Sequence, residues 1–135
     1  MKLLLDTHIF LWYIAGVRKI SAPVLALIRN PQNAVYLSVV SEWEIVIKYQ
    51  LGRLPLPAPP GVYIPVQRRR HRIDILSLDE GAVMVLEKLP SIHRDPFDRM
   101  LISQALDNGL TLITGDGTMK QYGDSVGVSI LTPKD

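Results

Sequence analysis

The 135-residue chain has 47% hydrophobic and 21% charged residues, which fits one ordinary globular domain and excludes disorder as its main state. It has no cysteine, which excludes disulfides, thiolate metal sites and cysteine catalysis. Lys and Arg total 15 against 13 for Asp and Glu, and the net charge of +2 is too small by itself to argue for a nucleic-acid partner.

Leu3-Leu4-Leu5 is a short apolar run that ends at Asp6, as in a strand buried on both faces. Lys2 and these leucines resemble the start of a signal peptide, but Asp6, Thr7 and His8 interrupt the run and no clean cleavage site follows. No apolar run approaches the ~18 residues of a membrane span. The chain is therefore read as cytoplasmic, without a membrane partner. Residues 7–15 predict a helix closed by Gly16, and residues 23–29 a second one with Ser21 as cap. Asn30-Pro31-Gln32-Asn33 is a turn, residues 35–38 a strand, and residues 41–51 a helix followed by Gly52. At the start of that helix, Ser41 and Glu44 fit a capping box. Residues 55–65 hold five prolines, read as an irregular stretch, and lead into Arg68-Arg69-Arg70-His71-Arg72, the densest basic run. A strand over 73–78 and helices over 80–89 and 96–108 follow. In the last of these, Asp95 is the cap, Pro96 the first position, Asp98 a first-turn acid and Gly109 the C′ residue. Residues 110–114 and 128–131 are the remaining strands, and glycines on both sides of Asp116 predict a mobile loop there.

Strands alternating with helices argue for an α/β layer fold with a mostly parallel sheet, whose ligands sit beyond the carboxyl ends of the strands. Asp6 and Asp116 follow strands, and Glu44 and Asp98 sit near helix starts, so all four occupy one edge of such a sheet. Taken singly, each is explained by a cap or an Asx turn. Together they can converge. Two carboxylates ~4 Å apart repel by about 4 kcal/mol at an effective dielectric of ~20, so a cluster of four must take up protons or bind cations. All-oxygen ligation suits Mg²⁺ or Mn²⁺ rather than zinc, and such a site supports hydrolysis of phosphodiesters. Setting these four of the 13 acids aside leaves nine against 15 cations, a balance of +6 that suits a polyanionic substrate. The run from Arg68 to Arg72 is one candidate patch for it, beside the plainer role of a solvated helix face.

Four segments carry a resemblance: Leu3-Leu4-Leu5-Asp6-Thr7-His8; Ser38-Val39-Val40-Ser41-Glu42-Trp43-Glu44-Ile45 with Lys48; His93-Arg94-Asp95-Pro96-Phe97-Asp98-Arg99-Met100-Leu101-Ile102; and Leu112-Ile113-Thr114-Gly115-Asp116. In this order and spacing the chain resembles the PIN-domain ribonucleases, in particular the VapC toxins of bacterial and archaeal toxin–antitoxin modules. The resemblance covers essentially the whole chain, residues 1–135 as a single PIN domain. It implies a PIN-like three-layer α/β/α sandwich with a central mostly parallel sheet, and an endoribonuclease dependent on Mg²⁺ or Mn²⁺. Asp6 and Asp98 would be the principal metal ligands, with Asp116 completing the site, often through water. Glu44 would hold a second metal or orient the attacking water. Thr7 and Thr114 would fix the carboxylates, and Asp95, one turn before Asp98, would assist beside its capping role. The family usually forms homodimers and is silenced by a cognate VapB antitoxin whose tail crosses the active-site groove.

Apolar candidates for such surfaces are Phe10, Leu11, Trp12 and Tyr13, and Trp43 with Ile47, although core packing is the simpler role for each. Glu42 and Glu44 point differently on a helix, so only one of them enters the site. His8 could approach a substrate phosphate, with a structural or solvated role simpler; His71 belongs to the basic run; His93 orders the loop before Asp95. A haloacid-dehalogenase-type phosphatase would need a second Asp two residues after the first, where this chain has His8. A receiver domain would need an acidic pair before the first turn, but Leu5 precedes Asp6. The alternative from another class is a PIN-fold module that binds RNA or a protein without cleaving, against which four intact acids argue.

Overall fold

In the computed structural model, which describes residues 1–135, Leu3, Leu4 and Leu5 are fully buried. They form β1 (Lys2–Leu5). It lies among β2 (Ala34–Ser38), β3 (Asp74–Leu76), β4 (Thr111–Ile113) and β5 (Ile130–Leu131). The sheet order is β3-β2-β1-β4-β5 and every pairing is parallel. The chain therefore winds outward from β1 to β3, then crosses to β4 on the other side of β1. That reversal is the topological switch point at which open α/β sheets hold their ligands. Leu5 pairs with Leu37 on one side and Ile113 on the other, so Asp6, Ser38 and Thr114 stand at one level on the carboxyl edge.

Seven helices cover the two faces: α1 (Thr7–Ala15), α2 (Ala22–Arg29), α3 (Val39–Gln50), α4 (Pro60–Arg70), α5 (Glu80–Val85), α6 (Pro96–Asn108) and α7 (Gly117–Val126). Strand alternation divides the core. Leu3, Leu5, Val35, Leu37 and Ile113 face a cluster with Phe10, Val24, Ile45 and Ile64 from the first four helices. Leu4 and Leu112 face a second cluster with Leu101, Ile102, Met119 and Tyr122 from α6 and α7. The result is a three-layer α/β/α sandwich: the alternation of strands and helices predicts its parallel α/β layers, and the resemblance to PIN domains implies the three-layer form.

Three local expectations change. The third helix starts at Val39 rather than Ser41, because Ser38 Oγ already accepts the Val40 N–H at 3.0 Å. Glu44 is therefore inside the helix, outside any capping box. The proline-rich stretch is helical from Pro60: that proline occupies N1, where no N–H is needed, and buried Ile64 holds the helix on the sheet despite Pro65. Helix α7 is new. Two glycines weaken its propensity, yet Asp116 caps it and Met119 and Tyr122 are fully buried. Asp116 is thus a helix cap, the plainer of its two roles. No helix is long and apolar enough to cross a membrane.

Candidate active site

Asp6, Glu44, Asp98 and Asp116 line one pocket of 370 Å³ with His93, Asp95 and Lys48. The end of β1 delivers Asp6, which is 5% exposed and has both oxygens engaged. Oδ1 accepts the Ile9 N–H at 2.8 Å, capping α1, and Oδ2 accepts from Thr114 Oγ1 at 2.5 Å. The same Thr114 hydroxyl accepts the Asp116 N–H at 3.1 Å, so one side chain after β4 orients two of the acids. Burial pushes the Asp6 carboxyl up, with Glu44 adding, against the bonds from Thr114 and the Ile9 N–H and the charge of His8; the net direction is upward.

Glu44 enters from α3 and is 4% exposed. Its Oε1 accepts from Thr7 Oγ1 at 2.6 Å, and its Oε2 pairs with Lys48 Nζ at 2.7 Å. Thr7 Oγ1 also lies 3.0 Å from Ser41 Oγ, which fixes the rotamer of the threonine. Glu42 points away, 3.8 Å from Arg68 Nε. Only one of the two glutamates reaches the pocket, as their spacing predicts.

Helix α6 carries Asp98. Asp95 caps this helix through the Phe97 and Asp98 N–H groups at 2.8 and 3.3 Å, and it also borders the pocket. A buried link holds α6 against the sheet: Ser38 Oγ donates to Gln104 Oε1 at 2.5 Å. Burial first, then Asp95, and further Glu44 and Asp116 against His93, push the Asp98 carboxyl up to about 7. Asp116 caps α7 through the Thr118 and Met119 N–H groups at 2.8 and 3.3 Å. Partial burial pushes its carboxyl up, but those bonds and His93 outweigh it and hold it below its ordinary value.

The residue that sequence reasoning placed only in a loop is His93. Its Nε2 lies 2.9 Å from Asp98 Oδ2 and 3.2 Å from Asp116 Oδ2. Its Nδ1 accepts the Asp95 N–H at 3.3 Å, which leaves the ring proton on Nε2, between the two carboxylates. Ligand atoms of His93, Asp98 and Asp116 all lie within 4.8 Å of one another, close enough to share a metal ion. Nothing local in the sequence marks this role, because Tyr122 of α7 positions the loop by accepting the His93 backbone N–H at 3.1 Å. His8 is exposed at the pocket mouth.

Of the apolar candidates, Phe10 is buried, and Leu11, Trp12 and Tyr13 pack against the core. Trp43 is 59% exposed and meets Phe97 edge-on at 5.1 Å.

A doubly wound parallel sheet with acids gathered at its switch point defines an α/β protein with an acidic carboxyl edge. A family model described as PIN domain matches residues 3–125, and the chain belongs to that family. Ribonuclease VapC16 of Mycobacterium tuberculosis is 43% identical over 56 residues, 42% of this chain and 40% of that protein, so the match spans less than half of the relative. The structure of VapBC2 from Rickettsia felis, bound to a DNA fragment from its promoter, superposes with a TM-score of 0.73 at 14% identity over 98% of each chain. VapBC-1 from nontypeable Haemophilus influenzae gives 0.69 at 18% identity over the whole of both chains. These two show the shared fold.

Proposed function

We propose that the protein is an endoribonuclease that requires Mg²⁺ or Mn²⁺ and acts as the toxin of a VapBC-type toxin–antitoxin module. The observation that carries this reading is the convergence of four carboxylates from four separate segments in one pocket. A pocket of that charge is built for a positive ligand. The donor set, carboxylate oxygens with no thiol, fits a hard divalent ion. Asp6, Asp98 and Asp116 would hold it, with Glu44 beside them. When bound, the ion supplies activation of a water and neutralises charge on the phosphate oxygens.

The chain's own groups do the positioning. Thr114 holds Asp6 and the backbone of Asp116, and Thr7 and Lys48 hold Glu44 on both oxygens. In this reading Glu44 orients the attacking water. The water oxygen bonds to phosphorus, one P–O ester bond breaks, and the displaced oxygen leaves with a proton. The name of the mycobacterial relative supports RNA as substrate. The VapBC complexes among the similar folds support a VapB-type antitoxin, and the exposure of Trp43 fits a protein partner, a second copy in a homodimer included. The reaction belongs in the cytoplasm, where RNA and Mg²⁺ occur together.

The test incubates the purified, antitoxin-free protein with total RNA in EDTA, Mg²⁺ or Mn²⁺, beside an identically purified Asp98→Asn variant. Discrete fragments that need metal and the wild-type chain are the expected result. Retained RNA binding without cleavage under any divalent ion would replace this reading with a binding module.

A further inference from the structure

The largest cavity, 690 Å³, lies away from the acids. It opens beside Ala34 and Asp74, where β2 and β3 begin, whereas the acids stand where the parallel strands end. Its wall carries Arg29 from the end of α2 and the four arginines of the basic run from the end of α4. Arg68 is tied into the fold: Nη1 donates to the Ile73 carbonyl at 3.2 Å, and Nε faces Glu42. The other four are exposed and have no carboxylate within 4.0 Å. Asp74 is the single acid in the lining. Each helix C-terminus carries roughly half a negative charge, so the two ends and Asp74 offset about two of the five cations. The cavity is left with an uncompensated positive charge.

Two further features agree. Burial together with Arg70 and Arg29 holds the His71 imidazole below its ordinary value, as expected in a positive potential, and Tyr13 packs edge-on against that ring at 5.2 Å. The backbone adds an independent sign. The last turn of α4 closes as a Schellman motif, with Ile73 N–H on the Arg68 carbonyl at 2.9 Å and Arg72 N–H on the Arg69 carbonyl at 3.2 Å. Its left-handed position is held by Arg72 at φ 56°, where α1, α6 and α7 each end on a glycine. Arg72 is the only non-glycine residue in the chain with positive φ. A long cationic side chain kept at a position that glycine fills without strain points to a use for its charge.

From this geometry we infer that the cavity is a second nucleic-acid contact, gripping backbone phosphates of single-stranded RNA on the sheet edge opposite the acid pocket. Four exposed arginines from two helix ends line one cavity of 690 Å³. So many cations over so wide a cavity suit a ribbon with one charge per nucleotide rather than a lone phosphate. The choice of RNA rests on the reading of the acid pocket; the place and chemistry of the grip do not.

The test measures anisotropy of a labelled single-stranded RNA in EDTA across a salt series, with Asp98→Asn as the parent protein. Adding Arg69→Ala and Arg70→Ala removes two contacts. Affinity at about 0.1 M salt then falls roughly 25-fold, and the salt slope drops by about 1.4, at roughly 0.7 for each single-strand phosphate contact. Arg72→Gly weakens binding while raising Tm, because glycine relieves the strained backbone. A purely structural arginine would raise Tm on replacement and leave binding unchanged, and that result, or an unchanged salt slope in the double variant, overturns the inference. Inorganic phosphate that competes as well as RNA of equal phosphate content overturns the assignment to a polynucleotide. Cleavage is scored separately, with the arginine substitutions in a chain that keeps Asp98. Arginine-dependent binding without any cleavage supports the cavity and sinks the nuclease reading; cleavage with arginine-independent binding does the reverse.

Discussion

Replacing Asp98 by asparagine stabilises the metal-free protein at neutral pH while it removes cleavage. Folding pushes this carboxyl from 3.8 up to about 7, first through burial and then through Asp95. The folded state thus binds the proton more tightly than the unfolded state. The contribution of Asp98 to stability is full below pH 3.8 and is lost as the pH climbs through about 7. Each pK unit corresponds to ~1.36 kcal/mol, and solvent at the pocket mouth screens much of the total, leaving about 1–2 kcal/mol. For a chain of this size 1 kcal/mol moves Tm by roughly 3–5 °C. Asparagine avoids the charge, so near pH 8 in EDTA the variant melts roughly 3–10 °C above the wild type, and near pH 4 the two converge. Mg²⁺ reverses the order, because an ion held at about 100 times its Kd adds roughly 2.7 kcal/mol to the wild type and little to the variant. Thermal melts across pH, with EDTA or Mg²⁺, measure all of this. A gap between the two proteins that stays constant from acid to alkaline pH would refute the claim that carboxylate burial and repulsion are concentrated at Asp98.

Thr114→Val leaves Asp6 Oδ2 and the Asp116 N–H without their shared partner, and urea unfolding should register a loss of about 1–3 kcal/mol together with weaker cleavage. Glu44→Gln breaks the pair with Lys48 inside the pocket and lowers the turnover of RNA at least tenfold, whereas Glu42→Gln, whose partner Arg68 lies 3.8 Å away, keeps near wild-type cleavage; equal losses in both would undo the assignment of Glu44. Gln104→Leu removes the buried acceptor of the Ser38 hydroxyl and costs about 1–3 kcal/mol in urea titration. A cost near zero would show that this link does not hold α6 on the sheet.

Much of the fold is legible because its signals are short-range. The leucines of β1 have no polar neighbour until Asp6, and Asp95-Pro96 followed twelve residues after Pro96 by Asn108 and then Gly109 marks both ends of α6. Helix α4 was hidden by its prolines and α7 by its glycines, since both depend on side chains buried against the sheet rather than on propensity. The capping box expected at Ser41 failed for a related reason. Ser38, one turn earlier, already caps the helix, and Ser41 instead lies against the buried Thr7 hydroxyl.

The four acids themselves were readable as residues that follow strands or open helices. Their sharing of one pocket is a property of strand register: Leu5 pairs with both Leu37 and Ile113, which levels the carboxyl edge. Tyr122, 29 residues further along the chain, holds the backbone of His93, whose ring stands between Asp98 and Asp116. What the sequence determined by itself was the kind of layer fold and the acids available at its edge, because caps, apolar runs and glycine stops act within a few residues. The tertiary structure decided distances, rotamers, the shifted ionisation of Asp98 and the meeting of Arg29 with the basic run at the opposite edge. Those depend on burial and on charges brought together from segments that no local pattern connects.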